Sequence, residues 1–405
     1  MKILHTADWH LGKKLEGFYR LDEQKEVMDE ICDIAKEENI DVVLIAGDIY
    51  DTYNPPTEAI ELFYKTIYRL TNKGTTPVFI IAGNHDSPDR IEAPEPLAIQ
   101  NGIFFIGYPN SKINSIKTES GMEVLKTEEG FAEFYVPRAK EKLRIIFSPY
   151  TNEYRLKKAL DIENPEKEFN IILSEKWRNI ALNSCDDSGV NILLSHLFFT
   201  AKNQKSKELT DEEKPIVYVG GTQSIDIELI PPQIQYTALG HLHRFQYIGE
   251  PANNVVYSGS PLSYSFAEAD QKKYIVIVDI TNEKVHSIEK HELKSGKSLK
   301  RMKFDSVGEA IDWLKDNQNT LVELTIKTEN YISSEDRKRL NNAHSGIVYI
   351  NPEFDKDINN ESGEKDIDPD QDIESLFVDY FKEKKKQALN DRLRDLFREI
   401  VDGQE

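Results

Sequence analysis

The chain has 405 residues, 39% of them hydrophobic and 30% charged, a balance that can bury the cores of two or three domains. Its 51 basic and 71 acidic side chains leave a formal net charge of −20, which excludes a surface that grips nucleic acid by charge alone. Cys32 and Cys185 form no disulfide framework or zinc spacing, no apolar run reaches the roughly 18 residues of a membrane span, and the residues after Met1 enter a strand pattern directly, so a cytoplasmic protein with no membrane contact is expected.

Taken in order, Ile3-Leu4 begin an apolar strand that runs through Thr6-Ala7 into Asp8-Trp9-His10. A helix pattern over 22–39 places Val27, Ile31, Ile34 and Ala35 on one face. The run from Val42 to Ala46 then leads into Gly47-Asp48, with Asp51 three residues on. Pro55-Pro56-Thr57 open a second helix carrying Ile60, Phe63, Tyr64, Ile67 and Leu70, and Gly74 closes it. The apolar run Val78 to Ala82 empties into Gly83-Asn84-His85-Asp86. This β-α-β-α-β order predicts a largely parallel sheet with right-handed crossovers and ligands at its carboxyl edge.

From 103 to 150 the pieces are short and β-rich, among them Ile103 to Ile106 and Leu143 to Phe147, and they read as the second sheet of a sandwich. Residues 153–189 read as helix and loop, and 202–213 as a charged exposed loop. Val190 to Leu194 runs into Ser195-His196, and Tyr236 to Leu239 into Gly240-His241-Leu242-His243. Asn254 to Pro261 is a further strand and turn, and the alternating stretch Tyr274 to Ile280 is expected to finish a first domain spanning 1–282. Residues 283–352 repeat β-α-β-α-β on a smaller scale, with helices at Val307 to Leu314 and Ser333 to Leu340. An acidic linker is expected over 353–373, then a helical segment over 374–405 with two apolar stripes, Leu376, Phe377, Tyr380 and Phe381, and Leu389, Leu393, Phe397 and Ile400.

Five strands therefore end in Asp, Asn or His. Gly-Asn-His-Asp by itself is also good turn chemistry, with Asp86 a turn-stabilising carboxylate. Repetition of the pattern is what points to a metal site, and O and N donors without sulfur suit Mn, Fe or Zn. His5 sits inside the first strand and reads as a core or sheet-surface residue, while His286, His291 and His344 match no motif. Tyr50 and Tyr53, flanking Asp51, read as packing residues or as aromatic contacts for DNA.

The series Asp8-x-His10, Gly47-Asp48-x-x-Asp51, Gly83-Asn84-His85-Asp86, His196 and Gly240-His241-x-His243 resembles the calcineurin-like metallophosphoesterases. Within them it is similar to the nucleases that work with coiled-coil ATPases in double-strand-break repair. The resemblance implies an α/β fold: a two-sheet sandwich flanked by helices, then a small α/β capping domain and a C-terminal partner-binding segment. It implies two divalent ions, Mn²⁺ being the expected metal, with Asp8, His10 and His243 on one, Asn84, His196 and His241 on the other, and Asp48 bridging. A water between the ions would be the nucleophile, His85 would serve the leaving oxygen, and Asp51 would orient His85 through its other ring nitrogen.

The same resemblance implies DNA as substrate, cut as a double-strand 3′–5′ exonuclease and a single-strand endonuclease. It also implies a coiled-coil ATPase held by Leu376, Phe377, Tyr380, Phe381, Leu389, Leu393 and Phe397, and a homodimer through the nuclease domain within a heterotetramer. No G-x-x-x-x-G-K-[ST] motif occurs, so ATP dependence would enter through that partner. Two other readings stand beside this one. The first is a phosphatase or nucleotide phosphodiesterase of the same family, although the Ser/Thr phosphatases carry Arg and Glu where this chain has Thr52 and Asp86. The second is a scaffold for the ATPase, which has no physical need of seven ligands at strand ends.

Overall fold

The computed structural model describes residues 1–151, 169–202, 224–328 and 331–354, together with Phe377, Val378, Phe381, Leu393, Arg394 and Phe397. The charged loop expected from 203, the acidic linker from 355, and Leu376, Tyr380, Leu389 and Ile400 of the C-terminal stripes lie outside the described residues.

Strand Lys2–Thr6 pairs in parallel with Val42–Ile45, which pairs with Val78–Ile81, which pairs in turn with Ile103–Ile106. On the other side Tyr274–Ile280 lies antiparallel to the first strand and Val285–Glu292 antiparallel to that, making a six-stranded sheet. The unbroken apolar runs follow from burial on both faces. Ile3, Val42, Leu44 and Phe79 look toward the second sheet, while Leu4, Val43, Ile45 and Ile80 are covered by Val27, Met28 and Ile31 of helix Leu21–Glu37 and by Phe63 and Ile67 of helix Thr57–Leu70.

The second sheet has seven strands in the order Gln246–Tyr247, Val255–Tyr257, Tyr236–Leu239, Val190–Ser195, Glu141–Ser148, Phe131–Val136, Glu123–Glu128. Its inner face brings Phe134, Leu143, Ile145, Ile192 and Ala238 against the first sheet. Phe79 stacks on Phe104 at 5.0 Å between ring centroids and meets Phe134 edge-on at 4.7 Å. Helix Phe169–Ser184 covers the outer face with Leu173 and Trp177. The expected sandwich flanked by helices is thus the observed architecture.

Two boundaries differ from expectation. Ile103–Ile106 belongs to the first sheet, beside Val78–Ile81, and not to the second. Val285–Glu292, expected to open the capping domain, pairs along its whole length with Tyr274–Ile280, so the first domain runs past 282 to Glu292. In both cases the strand pattern was legible, but the neighbour that takes its hydrogen bonds is chosen by the three-dimensional pairing.

The smaller module holds strands Ser298–Phe304, Thr320–Lys327 and Ile347–Glu353 in that order, with helices Val307–Asp316 and Ser334–Ala343. Ala310, Leu314, Val322, Leu324, Ile326 and Leu340 fill its core, and Leu299 and Leu321 pack on Leu15 and Phe266 of the sandwich. Sandwich and module form one compact unit over 1–327 and 331–352; residues 328–330 and 353–405 form a second. Within the second unit Phe377, Phe381 and Phe397 are helical, and the Phe377 ring stacks on Phe397 at 4.0 Å, so the two apolar stripes touch each other. Among the described residues no helix is long and apolar enough to cross a membrane.

Candidate metal centre

The loops that follow the first two strands of the chain's parallel core run side by side. Asp8 N–H donates to the Gly47 carbonyl at 3.0 Å, His10 N–H to Asp48 at 3.0 Å and Leu11 N–H to Ile49 at 2.9 Å. Asp8 (φ 54°), His10 (φ 44°), Asp48 (φ 48°) and, from the second sheet, His241 (φ 105°) all take left-handed backbone. Such conformations are uncommon outside glycine and persist only where the surroundings hold them.

Asp86 is one such holder. Its buried carboxylate accepts the N–H groups of Ile49 and Tyr50 at 3.1 Å each and of Gly83 at 2.8 Å, tying the Asp48 loop to the Asn84 loop. Burial, with the charge of Asp48 nearby, pushes its pKa up to about 6. Asp48 Oδ1 accepts the His85 N–H at 2.9 Å, and a Cβ on Gly83 would collide with that same oxygen, which is why the turn needs glycine.

The structure brings together the seven side chains singled out from the sequence. Asp8, His10 and His243 form one group and Asp48, His196 and His241 another, with the donor atoms of each group within 4.8 Å of one another. His10 Nε2 and His243 Nε2 stand 3.1 Å apart. Asn84 Oδ1 lies 3.1 Å from His196 Nε2 and 3.0 Å from His241 Nδ1, which places the amide in the second group. Asp48 Oδ2 is 3.3 Å from His196 Nε2 and 3.7 Å from His10 Nε2, so one carboxylate faces both groups. Six of the seven are buried and Asn84 is half-buried.

His196 Nδ1 meets the Ala46 carbonyl at 2.6 Å, which can only accept; the proton therefore sits on Nδ1, leaving the Nε2 lone pair turned toward Asn84 and Asp48. Buried imidazole nitrogens facing each other, two buried carboxylates and an amide oxygen, with no sulfur, are a donor set that fits two divalent ions.

Charge in the cluster is strongly perturbed. Burial pushes Asp8 up to about 7. Burial works the same way on Asp48, but His196 and His10 hold it well below the usual carboxylate range. For His196 and His243 burial favours the neutral ring, yet Asp48 beside the first and Glu268 beside the second raise both to about 9.

His85 stands next to the groups, its ring 4.9 Å from that of His10. Its Nδ1 lies 2.7 Å from the main-chain oxygen of Asp51, not from the carboxylate that the sequence pattern suggested. The Asp51 carboxylate faces Lys13 Nζ at 2.9 Å and His10 Nδ1 at 3.7 Å instead. The reason lies in the backbone: Asp51 N–H is drawn to the Leu11 carbonyl and Tyr50 N–H to Asp86, which presents the Asp51 carbonyl to His85.

Other histidines fall where packing puts them. His5 is buried between the sheets, with Nδ1 2.8 Å from the Tyr236 hydroxyl and Nε2 3.1 Å from the Leu239 carbonyl, and burial lowers it to about 3. His344 accepts the Gly346 N–H at 2.8 Å beyond helix Ser334–Ala343, and His286 and His291 lie on Val285–Glu292. Tyr50 is buried against Phe63, whereas Tyr53 is half exposed.

Two residues at the centre carried no sequence signal. Glu268 lies in the short 3₁₀ turn Phe266–Glu268, inside an Ala-Glu-Ala-Asp stretch that reads as exposed, yet its carboxylate is 3.2 Å from His243 Nδ1. Gln24, on the first helix, donates to the His10 carbonyl at 2.8 Å and accepts the Gly12 N–H at 2.9 Å, pinning the first loop to that helix.

A family model described as calcineurin-like phosphoesterase matches residues 1–245. The SbcD protein of the SbcCD nuclease from Bacillus subtilis (strain 168) is 37% identical over 413 aligned residues, covering all of this chain and 99% of that protein. Proteins of the same name from Staphylococcus epidermidis and Staphylococcus saprophyticus are 32% and 31% identical, each alignment covering 70% of this chain and 67% of the relative.

Proposed function

This chain belongs to the calcineurin-like phosphoesterases and is a metal-dependent phosphodiesterase, and from that premise we propose that it is the Mn²⁺-dependent nuclease component of an SbcCD-type complex. The observation that carries the reading is the position of Asp48 Oδ2, within 3.3 Å of His196 and 3.7 Å of His10, facing one histidine of each group. In this reading Asp8, His10 and His243 hold one ion, Asn84, His196 and His241 the other, and Asp48 spans both. Ions held there neutralise the charge of a phosphodiester and lower the pKa of an attacking water toward neutrality.

The chain's own residues then orient and protonate. His85 has Nδ1 committed to the Asp51 carbonyl, so Nε2 is the atom that delivers a proton to the leaving alkoxide. Asp51, by its carbonyl, sets that tautomer, while its carboxylate neutralises Lys13. Asp86 keeps the Asp48 and Asn84 loops in register.

The substrate in this reading is DNA, cut as a double-strand 3′–5′ exonuclease and a single-strand endonuclease during end processing, repair and recombination in the cytoplasm. The names of the relatives support it. An SbcC-like coiled-coil ATPase supplies ATP hydrolysis and most of the phosphate contacts that a chain of net charge −20 lacks, gripping the C-terminal stripes that include Phe377, Phe381, Leu393 and Phe397. The working assembly is a heterotetramer built on a dimer of nuclease domains. Purified chain should degrade end-labelled linear duplex with Mn²⁺ and not with EDTA, and a chain ending before Glu374 should keep cleavage while losing the ATPase in copurification. Cleavage that persists in EDTA, or an ATPase that still binds the shortened chain, breaks the corresponding half of the proposal.

A further inference from the structure

We propose that Glu268, braced by Lys273, is a positioning residue for His243 and sets the ion affinity of the Asp8–His10–His243 group independently of the other group. This rests on reading the two groups as metal sites.

The argument begins with what surrounds His243. Glu268 Oε1 lies 3.2 Å from His243 Nδ1 and accepts the Tyr264 N–H at 3.2 Å, while its other oxygen meets Lys273 Nζ. The same ammonium donates to the His243 main-chain carbonyl and to Ser260 Oγ, each at 2.9 Å. Glu268 is 1% exposed and Lys273 8%, so neither contact is diluted by solvent. One ion pair therefore holds both the ring and the backbone of a single residue.

An ionised carboxylate only accepts, so the proton of His243 Nδ1 is directed at Glu268. That leaves Nε2, the atom 3.1 Å from His10 Nε2, as the edge turned into the group. His196, in the other group, has a neutral carbonyl behind its Nδ1. A carboxylate behind a ligating imidazole raises its basicity and fixes its orientation. The two groups thus differ in the charge placed behind a ligand.

A plain structural role for the Glu268–Lys273 pair, pinning the 258–273 turn, would affect stability and leave ion binding even. The two roles separate in a titration. Metal-free wild-type chain titrated with Mn²⁺, with free Mn²⁺ followed by electron paramagnetic resonance, should bind two ions. Glu268→Gln, which keeps the shape and removes the charge, should bind one of them about 10–100-fold more weakly and the other unchanged, with a cooperative thermal transition retained in the metal-free state. Wild-type affinity for both ions, or equal weakening of both, overturns the inference and leaves the metal reading standing. A wild-type chain that binds no Mn²⁺ overturns the metal reading and this inference together. Should Glu268→Gln fail to fold, the wild type decides: in the Zn²⁺-loaded chain labelled with ¹⁵N-histidine, His243 should carry its proton on Nδ1, and a proton on Nε2 overturns the proposal.

Discussion

The carboxyl edge of the sandwich and the three-stranded module are made of the same strands and helices but differ in backbone. At the edge, Asp8, His10, Asp48 and His241 take left-handed conformations, whereas from 298 to 354 no described non-glycine residue does. Each such residue costs on the order of 1–3 kcal/mol. The edge therefore depends on its neighbours: the Asp8–Gly47 and His10–Asp48 backbone bonds, the three N–H groups gathered by Asp86, and Gln24 under the His10 carbonyl. The module depends on local rules, with Ser306 and Ser333 capping its two helices and an apolar core beneath. Strain collects where ligands must converge and is absent where elements only pack.

Substitutions at the edge should accordingly act jointly, and those in the module singly. The largest effect is expected for Asp48→Ala, which removes the carboxylate facing both groups: Mn²⁺ content should fall at both, with phosphodiester cleavage down by at least about three orders of magnitude. Metal analysis showing two ions retained would break the joint behaviour. Next comes His85→Ala, expected to lower cleavage about 10²–10⁴-fold with two ions still bound. Unchanged single-turnover rates would remove His85 from proton transfer.

His5 probes the interior beneath the edge through pH. Burial lowers it to about 3 in the fold, while in the unfolded chain it protonates near 6.5. The unfolded chain then takes up a proton that the fold refuses, so stability falls as pH drops from about 6.5 toward 3, by about 2 kcal/mol at pH 5. His5→Gln can still donate to Leu239 and accept from Tyr236, and it does not titrate. Its denaturation midpoint in the metal-free state should depend less steeply on pH between 7 and 5, by roughly that amount; a slope equal to wild type would show that His5 is charged or relaxed in the fold.

The smallest effect belongs to the module. Ser333→Ala deletes the side chain that accepts the Asp336 N–H at 3.0 Å and should cost about 1 kcal/mol with no change in metal content. Weakened Mn²⁺ binding in that variant would mean that the module and the edge are not independent.

The strand-end series was legible because its signals are local: an apolar run of period two, then Gly, Asp, Asn or His at the turn. The parallel order of the first three strands followed from the helix patterns between them. Ile103–Ile106 and Val285–Glu292 were equally legible as strands, but their sheets were not, since the partner that takes their hydrogen bonds is distant and nothing in an alternating pattern names it. Tyr50 followed the ordinary rule for an aromatic near a turn and packs on Phe63.

By itself the sequence determined which residues can act as ligands, that they lie at strand ends, and that those strands belong to an α/β sandwich, because residue type and hydrophobic period are properties of short segments. Tertiary structure alone decided what stands behind the ligands. Asp86 bonds to backbone 36 and 37 residues earlier, Glu268 faces a histidine 25 residues away, and Asp51 serves His85 with its carbonyl instead of its side chain. Those roles depend on which way a folded loop turns its polar atoms once water is excluded, and no spacing along the chain encodes that.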